Sequence, residues 1–584
     1  RSSVARRTSA SARPPKPSGV VITSKSRAAS STVWASGPDT VSVRTLSAAS
    51  SVGTVPRPGF RPTSPHAAAG MRIEPPPSLA WAMGSAPAAT AVMAESLALG
   101  LALALSMLLV VRRLPRNRRA TLDDRLAPYL RDTPRPSRLP PVLALLRTVW
   151  HGDGDLLSLL PGAAFSMAAG ELGYSRRSIK LFNDPELVRQ ILLDPEGIFP
   201  KSDLMVGALE PLIGDSIFVS DGAKWRRQRA MIDPAFSKMR LTHAFGAMVG
   251  AVDDYVARLK ESAARDEVLS LDRIMSELTA DIICRTVFST SLDTGISRDV
   301  FDDFAVFERG VAQVKIWRLI TDPAWADVPQ SDEVLAACKR IRHHLGSLID
   351  TPMGPDAGKY DDIASAVISA RDSETGEPFT RDELIDQLGV FFLAGHETTA
   401  SALTWAFYLL AMCPDVLHRL RAEVDETTDG DALTFEATRA LGYTRAVFRE
   451  TLRLYPPITF LPRVAMQGTR IGKYKVRKGA LLMISPWTLQ RHGDYWPDPD
   501  RFDPDRFLPP REQEVVQGAY IPFGAGPHTC VGAGFAAVES ALILARLTRE
   551  FDFLPENADA VRPVARLTTR PAEQIYVRLK SHGR

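Results

Sequence analysis

The sixteen residues Ile521–Ala536, IPFGAGPHTCVGAGFA, constrain this chain more than any others. One cysteine, Cys530, stands among Gly524, Gly526, Gly532 and Gly534, with Phe523 before it and an apolar helical pattern starting near Ala533. Glycines let a backbone turn sharply and approach a flat, bulky ligand closely. Amides freed by such a turn can hydrogen-bond the sulfur. The positive end of the following helix favours its anionic form. A thiolate serves as nucleophile or as metal ligand. The first use would need a histidine base and an orienting carboxamide, and His528 is two residues away without being shown to face the thiol. The glycines point to the second use, and an axial bond to haem iron is one form of it.

The rest of the composition narrows the field. The 584 residues are 45% hydrophobic and 24% charged, ordinary for a globular protein, and the net charge is only +4. No basic stripe with interleaved aromatics calls for nucleic acid. The cysteines Cys284, Cys338, Cys413 and Cys530 are scattered, which argues against a disulfide framework or a structural zinc site.

The N-terminal part differs in character. Residues 1–92 hold eleven basic residues against Asp39 and Glu74 and show no apolar period, so they read as a disordered leader. It is either transit-like or a product of over-long translation beginning ahead of Met93. Residues 93–113 read as a membrane anchor. Ser96–Val111 is free of charge, and five arginines from Arg112 to Arg119 would hold that end on the cytoplasmic side. Residues 114–141 form a Pro- and Arg-rich hinge. From 142 to 584 the pattern is one large domain, mainly α with a few short strands. Helices are expected over 382–412, 414–426, 436–455 and 533–550. SIKLFNDPELVRQILLD reads as strand, turn and helix with Asn183 or Asp184 as cap, and GKYKVRKGALLMIS reads as a hairpin.

Two motifs near the glycines mislead. Gly532, Gly534 and Ala537 match a dinucleotide fingerprint, but no β-branched strand precedes them. His396–Ala400, HETTA, lacks the second histidine of a zinc protease.

The series Phe523-Gly524-x-Gly526-x-His528-x-Cys530-x-Gly532 resembles the haem-binding loop of the cytochromes P-450. The resemblance implies that Cys530 is the iron ligand of a haem b and that Phe523 shields the sulfur. The family usually has arginine where this chain has His528, and that arginine pairs a haem propionate. A charged His528 in that role would release haem as pH rises through its folded-state pKa.

Further motifs follow in the family's order, from Trp225 to Glu539. Glu450 and Arg453 in FRETLRLYPP share a helix face, and Arg506 in WPDPDRFDPDRF stands in the place of the family's third partner. Their implied role is structural. Trp225 and Arg229, one turn apart in DGAKWRRQRA, and Arg463 in FLPRVA match propionate contacts. GVFFLAGHETTASAL places an acid and two hydroxyls inside an apolar helix, which is costly unless used. It resembles the oxygen-activating helix. There Gly395 would leave room for haem and dioxygen, Thr398 would hydrogen-bond the dioxygen, and Glu397 would help relay protons. His396 falls at a variable position and receives no role. Phe391, Phe392, Leu393, Ile458 and Phe460 are candidate pocket residues.

The resemblance implies the mainly α cytochrome P-450 prism fold with a small β region. It implies a haem-thiolate monooxygenase that inserts one atom of O2 into a lipophilic substrate such as a fatty acid or terpenoid. Electrons would come from a separate reductase or ferredoxin, since 54 residues follow Cys530. The pattern looks closest to membrane-type members. Two rivals stand beside it: a haem-thiolate isomerase or dehydratase acting on hydroperoxides, and a non-catalytic haem gas sensor.

Overall fold

The computed structural model describes residues 155–171, 177–293, 295–311, 328–350, 362–428, 433–558 and 561–582. The leader, the anchor segment 93–113, the hinge and the boundary at 142 lie outside these residues. Among the described residues no single helix is long and apolar enough to cross a membrane.

Helices dominate. In chain order they are α1 (Pro185–Leu193), α2 (Asp203–Ile213), α3 (Gly222–Ile232), α4 (Lys238–Ala264), α5 (Leu271–Val287), α6 (Gly295–Val311) and α7 (Asp332–Asp350). They continue as α8 (Ile363–Ser369), α9 (Arg381–Met412), α10 (Pro414–Thr428), α11 (Phe435–Ala440), α12 (Gly442–Leu454), α13 (Pro486–Leu489) and α14 (Ala533–Glu550). The strands are β1 (Ala169–Glu171), β2 (Ile179–Phe182), β3 (Val268–Ser270), β4 (Arg463–Val464), β5 (Thr469–Ile471) and β6 (Tyr474–Val476). β7 (Leu481–Ile484), β8 (Phe551–Pro555), β9 (Pro563–Ala565), β10 (Thr569–Pro571) and β11 (Tyr576–Ser581) complete the set.

The strands form small sheets. The largest runs β1-β2-β7-β4, with β2 and β7 parallel from Ile179↔Leu481 to Phe182↔Ile484. The hairpin expected over Gly472–Ser485 is not formed as such. β6 pairs back onto β5 across a turn at Gly472, whose φ is +51°. Gly479, at φ +78°, then turns the chain away, and β7 enters the other sheet. The burial pattern gives the reason. Leu481, Leu482 and Ile484 are all buried, as a strand flanked on both edges requires.

Local signals set the helix ends. Asp184, not Asn183, caps α1, accepting from the amides of Glu186 and Leu187. Asn183 is buried and donates to the carbonyl of Ala164. The helix expected over 436–455 is two helices, broken at Leu441. The carboxylate of Glu423 on α10 takes the amides of Tyr443 and Thr444 at 2.5 and 2.7 Å, so a neighbouring helix caps α12 from outside.

α9 is the axis of the core. Thr380 and Glu383 close a reciprocal cap at its start. From Leu384 to Leu410 every residue is buried except Ala394, Gly395 and Thr398. Ala394 and Thr398 lie one turn apart, so the helix opens along a single stripe there. A Cβ at Gly395 would lie 2.4 Å from Ile283 Cδ1, so the glycine admits α5.

A second fixed point is wholly polar. Arg453 grips Glu450 with two parallel bonds, 2.7 and 2.8 Å, and both side chains are fully buried. Arg506 Nε lies 3.4 Å from the same carboxylate, and the amide of Asp503 donates to it at 2.9 Å. Arg453 also donates to the carbonyls of Gln490, Pro499 and Arg501. One carboxylate thus fixes α12 to the irregular segment ahead of the cysteine loop. Replacing it strands two arginines in the interior. We expect Glu450→Ala to cost about 3–5 kcal/mol. Denaturant midpoints and the yield of folded protein measure this, and Gln at the position should recover only part of the loss.

Candidate functional site

The loop carrying Cys530 is built by its glycines. Gly524 and Gly526 both have φ +74°, a region that side chains rarely enter. Gly526 has a further reason: a Cβ there would lie 2.5 Å from the carbonyl oxygen of Leu192. The turn is closed by the amide of Cys530 donating to Phe523 at 3.0 Å and by Thr529 bonding Gly526 through both amide and hydroxyl. Gly532 ends the loop and α14 begins at Ala533. No strand precedes the glycine series, so the dinucleotide fingerprint has no structural basis here.

Cys530 is the exposed one among the four cysteines, and the other three are buried. The residue is exposed although protein atoms crowd around its side chain. Burial pushes the thiol up. The amides of Gly532 and Ala533 and the charge of Arg229 pull the other way. Phe523 is half-buried against the main core.

Three chain segments converge on this loop. α3 supplies Trp225, whose ring lies 4.0 Å from that of His528. It also supplies Arg229, which donates to the carbonyl of Thr529 at 2.6 Å and pairs with Asp233. β4 supplies Arg463, which forms a bridge to Lys201 through the backbone. Lys201 is a residue of this cluster that the sequence did not single out. No motif marks it, and only its position in the fold reveals it. Its ammonium is buried and donates to the carbonyls of Ile217 and Ser220. Burial pulls it down to about 7 despite Asp221 nearby. Burial also pulls Arg463 down. His528 is driven down to about 3, first by burial and then by Lys201, Arg463 and Arg229.

This cluster tests the fit of a haem. Three cations crowd a partly buried site that Asp221 faces. Neither Lys201 nor Arg463 makes a direct carboxylate pair among the described residues. Nδ1 of His528 is buried without a hydrogen-bond partner, and its Nε2 lies 3.8 Å from Asp221. Such a site has room for anionic oxygens. Haem propionates fit it. His528 would act there as a neutral hydrogen-bonding ring, so the titration expected of a charged His528 moves out of the neutral range.

The polar stretch of α9 is arranged differently. Thr398 is half-buried on the open stripe, and its hydroxyl donates back to the carbonyl of Ala394 at 2.7 Å. Glu397 is not an open carboxylate. Arg570 of β10 holds it through Nε at 2.9 Å and through a second, shorter bond from Nη2. Thr568 donates to it at 2.5 Å. Burial would raise Glu397, but Arg570 outweighs it and keeps the carboxylate ionised. Arg570 itself bridges on to Asp272 at 2.7 Å. Among the candidate pocket residues, Phe391 packs on Phe236 and Phe392 on Phe304 in the core. Ile458 and Phe460 are half-open.

The chain belongs to the cytochrome P450 family, whose model matches residues 171–578. It is 34% identical over 423 residues to cyclooctat-9-en-7-ol 5-monooxygenase of Streptomyces melanosporofaciens, covering 71% of this chain and 88% of that one. It is 31% identical to the chloroplastic protein LUTEIN DEFICIENT 5 of Arabidopsis thaliana, covering 65% and 66%. The crystal structure of the cytochrome P450DA heme domain superposes with a TM-score of 0.63 at 26% identity, covering 71% and 89%. The protein is therefore a haem-thiolate monooxygenase, an oxidoreductase that incorporates oxygen.

The loop geometry gives a direct test. Gly526→Ala meets both a forbidden φ and a backbone carbonyl. Haem content per folded protein should fall by half or more, read as the ratio of Soret to protein absorbance. Gly534→Ala, whose Cβ would meet only Leu241 at 3.5 Å, should leave that ratio unchanged.

Proposed function

We propose that Cys530 holds the haem iron and that the enzyme hydroxylates a lipophilic cyclic terpenoid with electrons from a separate donor. The observation that carries this reading is the exposed Cys530 in a loop surrounded by Lys201, Arg229 and Arg463. A cation cluster of this kind and an exposed cysteine are both accounted for by one ligand, a haem with two carboxylates. Bound haem supplies dioxygen activation, which uses two electrons and two protons to place one oxygen atom on substrate and the other in water.

The chain's residues have separate tasks in this reading. The amides of Gly532 and Ala533 stabilise the sulfur anion. Trp225, Arg229, Arg463, Lys201 and His528 orient the propionates, and Phe523 covers the sulfur. Thr398, on the open stripe of α9, is placed to donate a hydrogen bond where protons are needed. Its hydroxyl must first release the Ala394 carbonyl, a rotation about one bond. Glu397 acts as a fixed charge beside it, because Arg570 and Thr568 occupy its oxygens. Glu450, Arg453 and Arg506 keep the frame rigid.

A terpenoid substrate is supported by the monooxygenase relative from Streptomyces, whose name specifies an unsaturated alcohol. The half-open Ile458 and Phe460 would supply apolar wall. The segment 93–113 would anchor the domain to a membrane.

Reduced, carbon monoxide-treated protein should show the red-shifted Soret band of a thiolate ligand, and Cys530→Ala should lose it completely. A band that survives the substitution overturns the assignment. Turnover of cyclic terpene alcohols with a generic reductase, followed by mass spectrometry, should show addition of one oxygen atom from labelled O2. Rearranged product without label or electron use would support the isomerase reading instead.

A further inference from the structure

His396, at the motif's variable position, has a defined environment. Its ring is enclosed by Phe301 and Phe304 of α6 and by Phe392, at centroid distances of 5.9, 5.9 and 4.8 Å. Nδ1 lies 2.7 Å from the carbonyl oxygen of Phe392 and would be the nitrogen that carries hydrogen in the neutral ring. That leaves Nε2, 3.4 Å from Oε1 of Glu308, near the end of α6. Oε1 is buried, and the contact is too loose to count as a full hydrogen bond. Ligand atoms of Glu308, His396 and Glu397 all lie within 4.8 Å of one another.

The charge balance of this cluster depends on one proton. The groups facing it are Glu397 and His396 on α9, Arg570 on β10, and Asp272 on α5 behind Arg570. Without a proton between Glu308 and His396, a carboxylate would face an imidazole lone pair, with a second carboxylate beside them and Arg570 already engaged. With that proton the contact is an ion pair or a charge-assisted hydrogen bond. Burial and then the charge of Glu397 push the Glu308 carboxyl up to about 7. Burial would pull His396 down, but Glu308 and Glu397 outweigh it and hold it above its usual value. Both directions mean that the folded protein keeps a proton the unfolded chain would release. The stability of the contact is therefore present at lower pH and is lost as pH rises through and above neutrality.

We propose that Glu308 is a positioning residue for the oxygen chemistry: by sharing one proton with His396 it holds the end of α6 against the turn of α9 that carries Glu397 and Thr398. This rests on the monooxygenase reading above. The tie acts on geometry. His396 and Thr398 point about 160° apart on α9, so a shift of α6 reaches the hydroxyl by moving the α9 backbone at its opening rather than through a side-chain contact. Loss of the proton loosens α6, and electrons are then spent without product.

The test uses the full-chain holoenzyme and three forms: wild type, Glu308→Gln and Glu308→Ala. The glutamine amide can donate to Nε2 of the neutral ring or accept from Nε2 of the protonated ring, and it has no proton of its own to lose. In wild type, product formed per electron pair consumed should fall roughly three- to tenfold between pH 6.5 and 8.5. Glu308→Gln should hold its value flat over that range, and Glu308→Ala should be low throughout, with KM little changed in all three. Deuterium exchange of residues 295–311 gives a readout independent of turnover. At pH 8.5 wild type should exchange faster than Glu308→Gln, and at pH 6.5 the two should agree. A Gln variant with the wild-type pH profile and the wild-type exchange overturns the tie. The carbon monoxide spectrum, recorded on the same samples, reports separately on the haem-thiolate reading, because exchange of α6 does not depend on it.

Discussion

A helix of 32 residues buried along nearly its whole length can keep polar side chains only if other elements come to meet them. α9 is such a helix, and much of the interior is arranged around its needs. Asp386 receives Arg342 from α7 and the amide of Asp215. Glu397 receives Arg570, Ser401 and Trp405 bond the carbonyl of Thr569, and Thr279 reaches the carbonyl of His396. Distant parts of the chain are thereby brought onto one axis. Thr398 is the hydroxyl on that axis whose only hydrogen bond is to its own helix and whose side chain faces open space.

The cysteine side follows the opposite logic. There the protein gathers positive charge, of which only Arg229 has a direct carboxylate partner among the described residues, Asp233. Lys201, Arg229 and Arg463 come from three separate segments, and each depresses the others or His528. Folding such a cluster without an anion is costly, so ligand and frame stabilise each other. The Glu450–Arg453 pair nearby shows the same chemistry fully satisfied, and it serves only to hold the chain.

Much of this was legible beforehand, because local rules govern it. The glycine loop, the start of α14 at Ala533 and the extent of α9 follow from spacing and composition. So does the pairing of Glu450 with Arg453, which lie three residues apart on one helix. What sequence could not reveal depends on distant partners. The helix expected through Leu441 breaks because Glu423, some twenty residues earlier, caps a new start. The expected hairpin gives up β7 because β2, 302 residues away in the Arg177–Gly479 contact beside it, offers a fully buried slot. Gly395 also lets α5 pack close, because a Cβ there would meet Ile283. Lys201, Arg570 and Glu308 carry no local mark, since a lone charged residue in a short segment usually faces water.

The bond between Glu397 and Arg570 spans 173 residues of sequence. At a synthesis rate of about 5–20 residues per second, the carboxylate leaves the ribosome roughly 9–35 s before its guanidinium. Through that interval α9 carries an acid that cannot be placed in a dry interior, so the helix must wait, loosely packed, for a late strand. The order of translation therefore places closure of this part of the core after β10 has been made.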